Sequence, residues 1–283
     1  MTLWDRMPRV RSRLRRFFGQ PASDLARICV EIERTAPERA RNLLESLLLG
    51  LEGRSCDMDR FRAAEVLSAA VYPEYRFSEY GRIWLKDQAF NEYYQRFMDV
   101  GNWHSMDRKY TLDQLLKLVL HLGGDVAECG TFKGASAWLM CAAFRDSSRM
   151  VHLFDSFEGL SAPDGVDGDY WVAGAMEAPE IELRRTLADF DNYRIYKGWI
   201  PERFTEVRDR KFSFVHIDVD LYQPTLDSLS FFYERLLPGG LLLMDDYGFN
   251  TCPGAKLAAD EFFASRPEQI IMLPTGQAFV IIR

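Results

Sequence analysis

The stretch 212–248 limits the possible folds more than any other part of the chain. It reads FSFVHIDVDLYQPTLDSLSFFYERLLPGGLLLMDDYG. Two apolar runs, 212–217 and 241–244, stop abruptly at carboxylates. The first ends in Asp218 and Asp220, the second in Asp245 and Asp246. A helix-length segment closed by Leu-Pro-Gly-Gly lies between them. Strand, helix, tight turn and strand form a parallel crossover unit. Such sheets bind ligands beyond the carboxyl ends of their strands, and both acid pairs fall at that edge. Neighbouring strands lie about 4.8 Å apart, so the two pairs can share one ligand. Carboxylates converging without basic partners repel one another. A divalent cation would relieve that repulsion.

The same alternation extends over the C-terminal two thirds. Short apolar runs at 126–129, 150–154, 193–196, 212–217 and 241–244 are separated by helical stretches. A helix is expected over 111–122, where Leu112, Leu115, Leu116, Val119 and Leu120 make an apolar side that Gly123-Gly124 ends. The segments 269–273 and 278–282, joined by Pro274-Thr275-Gly276-Gln277, predict a terminal antiparallel hairpin. The fold class expected is α/β: a doubly wound, mostly parallel, Rossmann-like sheet with that hairpin at its end.

Residues 1–105 read as a helical N-terminal extension, with the sheet domain over 106–283. Segments 21–50 and 57–72 look helical, and 79–100 is rich in aromatics (Trp84, Phe90, Tyr93, Tyr94, Phe97), a pattern that fits a core or a subunit interface. A homo-oligomer is therefore expected. The first twenty residues interleave six arginines with Trp4, Val10, Leu14, Phe17 and Phe18. Such a segment can attach to an anionic membrane surface or an acidic carrier. Packing on the protein body, with solvated arginines, is the plainer expectation.

Bulk composition removes several classes. Hydrophobic residues make up 47% of the 283, enough for a packed core. The net charge of −7 argues against nucleic acid as the partner. No apolar run approaches the roughly 20 residues a bilayer span needs, and no signal-peptide core opens the chain. Cys29, Cys56, Cys129, Cys141 and Cys252 are odd in number, with no CxxC pair. That predicts a reducing, cytoplasmic setting and no zinc.

Three strand ends describe a ligand. After the first strand, Gly130 and Gly134 in ECGTFKGAS let the backbone turn sharply and come close to a ligand. The loop is not GxGxxG, and it carries the acid Glu128, which suits a cationic or zwitterionic ligand better than a pyrophosphate. Asp155 ends the second strand, where an acid suits the two hydroxyls of a ribose. Lys197-Gly198-Trp199 follows the third, and Gly198 could admit an adenine ring. The expected pocket comprises Glu128, Gly130, Thr131, Gly134, Ser136, Asp155, Ser156, Gly198 and Trp199, with Asp218 at its edge. S-adenosylmethionine fits these turns better than NAD; a Tyr-x-x-x-Lys pair near the fourth strand is also missing. Asp218, Asp245 and Asp246 read as hard oxygen donors with no His or Cys beside them, which favours Mg²⁺, with Mn²⁺ or Ca²⁺ as alternatives, over zinc. His216 reads as a buried, hydrogen-bonded strand residue. The loop 161–171, with Asp164, Asp167 and Asp169, reads as a solvated lid.

At these residues the chain resembles the macrocin/mycinamicin O-methyltransferase family of deoxysugar methyltransferases. The motifs are AECGTFKGAS, FDSFEG, KGWIPE, HIDVDLYQPTLDSL, LPGGLLLMDDYG and CPGAKLAADEF, in order from about residue 110 to the end. The resemblance implies a class I methyltransferase fold, S-adenosylmethionine and magnesium. By resemblance Asp218, Asp245 and Asp246 are metal ligands, Asp218 doubles as the catalytic base, and Glu128 and Asp155 belong to the cofactor pocket. Catechol-type relatives carry a lysine three residues after the first metal aspartate, where this chain has Leu221. That departure tilts the expected acceptor from a catechol-like phenol to a sugar on a natural product or glycan. A non-catalytic binding protein on the same fold is the alternative of another class.

Overall fold

The computed structural model describes residues 83–97 and 105–283, with isolated positions between 34 and 81. The basic segment 1–20 and, apart from single positions, the helices expected over 21–50 and 57–72 lie outside the described residues. The chain divides into two compact units, 1–91 and 92–283. Helix α1 (Gln88–Gln95) begins in the first unit, where Asp87 Oδ1 accepts the Phe90 amide and caps the helix start. Among the described residues no helix is long and apolar enough to cross a membrane.

The second unit is built on seven strands: β1 (Asp125–Cys129), β2 (Val151–Asp155), β3 (Tyr193–Lys197), β4 (Phe212–Ile217), β5 (Leu236–Met244), β6 (Ile271–Met272) and β7 (Ala278–Ile281). Their order is β3-β2-β1-β4-β5-β7-β6. The first five pair in parallel, and β7 joins antiparallel to both β5 and β6. This is the doubly wound, Rossmann-like sheet with its terminal hairpin. The strand order reverses between β1 and β4, the switch point where such sheets open a crevice.

Alternation along the strands sorts side chains between the two faces. Ala127 and Cys129 of β1, with Val215 and Ile217 of β4, join a core that includes Leu229 and Phe232 of α5 (Tyr222–Tyr233) and Phe262 of α6 (Pro253–Phe263). Phe154, Tyr196, Phe204 and Phe232 interlock there, with Phe154 stacked on Tyr196 at 4.7 Å and edge-on to Phe204 at 5.1 Å. Burying an aromatic ring of this kind contributes about 2–3 kcal/mol from area alone. Glu128 and His216 alternate out of that core, onto the other face.

Two boundaries differ from expectation. The helix expected over 111–122 begins at Met106 and ends at Leu116, followed by a 3₁₀ turn, Lys117–Val119. The early start of this helix, α2, escapes the apolar pattern because its first turn carries Arg108 and Lys109, which interrupt the apolar repeat. The Leu-Pro-Gly-Gly turn before the fifth apolar run is part of β5 itself. The Gly239 amide donates to the Ile282 carbonyl and the Ile282 amide to Gly240, so the end of the chain holds the segment in place while Gly239, at φ +82°, keeps a sharp local turn within the strand. A register shift between Phe212 and Phe214 takes up the irregularity.

Candidate active site

The loop after β1 is held by one side chain. Asp155 Oδ2 accepts the amides of Thr131 at 2.8 Å and Phe132 at 2.9 Å, while Oδ1 accepts Phe157 at 2.7 Å. Gly130 makes the close approach possible. Its φ is +80°, and a Cβ there would lie 1.8 Å from the Asp218 carbonyl oxygen. The Asp218 amide in turn donates to Cys129 O at 2.9 Å. The loop after β1 and the acid-bearing end of β4 are thereby locked together. α3 (Ala135–Ala143) follows, and Tyr93 OH donates to Ala135 O at 2.8 Å while its ring packs on Trp138 at 5.1 Å.

A cavity of about 660 Å³ opens at this edge. Of the residues expected in the cofactor pocket, Gly130, Thr131, Gly134, Ser136, Asp155, Ser156, Gly198, Trp199 and Asp218 line it; Glu128 does not. Glu128 is buried behind the wall, with Oε1 on His216 Nδ1 at 2.9 Å and Oε2 without a partner. Ser156 organises its own turn, donating to Gly159 O and accepting from the Glu158 amide. Gly198 has φ +133°, and a Cβ there would meet Arg203 rather than open space.

The acids divide into two groups. Asp245 is fully buried and fully engaged. Arg108 pairs with Oδ2, while His216 Nε2 at 3.2 Å and Gln277 Nε2 at 2.6 Å both donate to Oδ1. Burial disfavours its charge, but Arg108, then Lys109 and His216, hold the carboxyl well below the usual range. Burial likewise opposes charge on His216, yet hydrogen bonds to Asp245 and Glu128 push it up to about 9, so it bridges the two carboxylates as an imidazolium. Burial raises the Glu128 carboxyl, and His216 pulls it back in part.

Asp218, Asp220 and Asp246 line the cavity and are under the opposite stress. Withdrawal from solvent and the Asp245 charge raise Asp218. Burial, then Asp218, pushes Asp220 up to about 7. Burial, then Asp220 and Asp218, raises Asp246 well above the carboxylate range. Asp220 adopts φ +60°, and its amide donates to Asp246 Oδ2 at 2.9 Å. Two sets of side chains bring ligand atoms close enough to share a cation: His216, Asp218 and Asp245, and Asp220, Asp246 and Cys252.

Three readings of the sequence change here. The acids do have basic partners, but these come from elsewhere: Arg108 and Lys109 from α2 and His216 from the opposite strand face. The loop 161–171 is not wholly solvated. Asp167 is buried and accepts the Tyr222 amide at 2.7 Å, tying the loop to the start of α5. Cys252, counted in the sequence only among five unpaired-looking cysteines, donates to Asp220 Oδ1 at 3.4 Å and accepts from Trp171 Nε1. Arg108 and Lys109 carried a usable signal, since two cations in a helix's first turn oppose the helix dipole.

Over residues 100–272 the chain matches the family described as Macrocin-O-methyltransferase (TylF). It is 30% identical over 148 residues to the 8-demethyl-8-(2,3-dimethoxy-alpha-L-rhamnosyl)-tetracenomycin-C 4'-O-methyltransferase of Streptomyces olivaceus, covering 47% of this chain and 56% of that one. It is 28% identical over 167 residues to the mycinamicin III 3''-O-methyltransferase of Micromonospora griseorubida, covering 52% and 65%. The chain thus spans between half and two thirds of the length of these relatives. The calicheamicin methyltransferase CalS11 superposes with a TM-score of 0.55 at 19% identity, over 68% of this chain and 91% of that one. The O-methyltransferase NovP does so at 0.53 and 24%, over 63% and 82%; at such identities the likeness concerns the fold. The family match runs through every strand end that builds the cavity and takes in well over half of the sequence, and the chain belongs to the macrocin-O-methyltransferase (TylF) family.

Proposed function

We propose that the protein transfers a methyl group from S-adenosylmethionine to one hydroxyl of a vicinal pair on a sugar, carried by a natural product or glycan. One observation carries this reading: a single cavity joins the β1 loop and Asp155 to the acid edge of Asp218 and Asp246. The activities of the tetracenomycin and mycinamicin relatives point to a hydroxyl of a glycosidic sugar as acceptor.

In this reading the loop 130–136, Asp155, Gly198 and Trp199 hold the nucleoside and the sulfonium. Asp218, at the junction of both halves, receives the acceptor's proton as its oxygen displaces the methyl group in line. The locked Gly130–Asp218 contact fixes donor and acceptor in one frame. The donor set fits Mg²⁺: Asp218 and Asp246 offer oxygens to the cavity and repel one another without a cation. Asp245 would complete the ligand set, although Arg108, His216 and Gln277 now occupy its oxygens. Such an ion would supply charge withdrawal from the acceptor hydroxyl. Residues 1–105 are assigned to acceptor access and to contacts between subunits.

A catechol-like acceptor is the second reading. Against it stands Leu221, buried at the position where a lysine would serve. Of the two lysines that line the cavity, Lys109 lies on Ser136 and Lys133 beside Glu182. Calorimetry with S-adenosylhomocysteine, followed by transfer assays on vicinal-diol sugars and catechols with and without EDTA, tests the whole. Binding and EDTA-sensitive sugar methylation are expected. Absence of any binding would leave a non-catalytic protein on this fold.

A further inference from the structure

Arg108 stands where a cation bound to Asp245 would have to stand. Its side chain lines the cavity together with Asp218, Asp220 and Asp246. Asp245 is fully buried and does not line the cavity. Its Oδ1 already accepts from His216 and Gln277. Oδ2 is the oxygen left for a ligand, and Arg108 covers it. The charges of Asp218 and Asp246 also favour the guanidinium. Arg108 therefore neutralises the same three carboxylates that were assigned above to an ion.

The grouping of the acids follows from this. Sets of ligand atoms close enough to share an ion divide the expected three: Asp218 and Asp245 go with His216, Asp246 with Asp220 and Cys252. A single guanidinium charge offsets only part of the charge of three carboxylates, so a dication in the cavity is drawn to the same oxygens. Two cations in contact with one buried carboxylate oxygen repel each other strongly. We infer that Arg108 is the resident cation of this site, and that Arg108 and a divalent ion exclude each other at Asp245. The ion gains Asp245 only when the guanidinium lets go. The side chain has other contacts to keep: the Phe249 ring, 5.0 Å from its guanidinium carbon, and Ser105 Oγ, which accepts from Nε at 3.3 Å. Because Arg108 sits in the first turn of α2, that turn is coupled to the state of the ion site. This rests on the metal reading given above.

The test is Mn²⁺ uptake by the full chain with S-adenosylhomocysteine present, measured by calorimetry. A pair that is closed most of the time lowers the apparent affinity by the fraction of time it is open. Arg108→Met should therefore take up Mn²⁺ about tenfold to a hundredfold more tightly than the wild type, the worth of a charge-assisted hydrogen bond. Lys109→Met is the control. It removes an equal charge that faces Asp245 and Asp218 without lying on the Asp245 oxygens, and its gain should be far smaller. Equal gains in the two variants would reduce Arg108 to a general field effect and overturn the inference. Unchanged or weaker uptake by Arg108→Met would overturn it too. Should either variant not fold, the wild type decides alone. Its crystals with Mn²⁺ bound at the aspartates should show Arg108 and Asp245 parted, and an intact pair beside the ion would sink the inference. A wild type and variants that take up no Mn²⁺ remove the metal reading itself, and this inference with it; every other negative result removes only the role of Arg108.

Discussion

The sheet carries a buried histidine near each end, and the two are placed in opposite circumstances. At the amino end His152 on β2 lies 3.0 Å from Asp125 Oδ2 and 2.7 Å from Tyr196 OH, its ring stacked on that tyrosine. Asp125 also accepts the Met150 amide and lies 3.6 Å from Arg210. Every charge there has a partner. At the carboxyl end His216 on β4 is shared by Glu128 and Asp245, and it does not exhaust the demand. One oxygen of Glu128 stays unpartnered, and three further aspartates raise one another. The same side chain seals one end of the sheet and organises an excess of charge at the other. Polar groups satisfied by their neighbours hold a fold together; those left over are available to a ligand.

The contrast breaks most readily at Asp245. Asp245→Ala strands Arg108, His216 and Gln277 in a buried site, and urea unfolding should show a loss of about 3–5 kcal/mol. A loss under 1 kcal/mol would mean that the carboxyl end is as self-sufficient as the other. Asp218 tests the complementary property, because its oxygens carry no comparable set of donors. Asp218→Ala should cost about a hundredfold or more in methyl transfer, with stability and S-adenosylhomocysteine affinity nearly unchanged. The smallest effect belongs to the amino end. Asp125→Asn keeps the shape of the His152 contact and should cost about 1 kcal/mol, less what solvent screens. Its pH dependence is the sharper measurement. Burial raises the Asp125 carboxyl, but the His152 hydrogen bond, the Met150 amide and Arg210 outweigh it and leave the group below its ordinary 3.8. Its contribution is complete above that value and disappears as pH falls through the lower folded one. The stability gap between wild type and Asp125→Asn should therefore shrink below about pH 3.8; a gap that widened on acidification would refute the pairing.

Much of this arrangement could be read from local patterns. The run 212–217 coincides with β4, and the acids after it reach the cavity, because strand ends and the switch-point rule depend on short-range periodicity. Partnership was harder to read. Arg108 meets Asp245 across 137 positions and Gln277 meets it across 32, and nothing near Asp245 in sequence foretells either. Glu128 shows the same limit. Its place at a strand end is local information, but the side on which it finds a histidine depends on the register of β1 against β4. Glu128 pairs in register with His216, which turns an acid expected in the pocket into a support behind its wall. Pro238-Gly239-Gly240 does turn, with Gly239 at φ +82°, but hydrogen bonds to Ile282 near the chain's end keep that turn inside β5.

The Gly130–Asp218 contact has a consequence for evolution within this architecture. Two surfaces that meet with no room for a methyl group cannot drift independently: lengthening the first loop or bending the fourth strand end displaces the other. Under the proposed function, new acceptors would be accommodated by changes at other cavity-lining positions such as Trp171, Gln223 and Phe249. The Gly130–Asp218 junction stays fixed, and diversity accumulates among the other side chains that line the cavity.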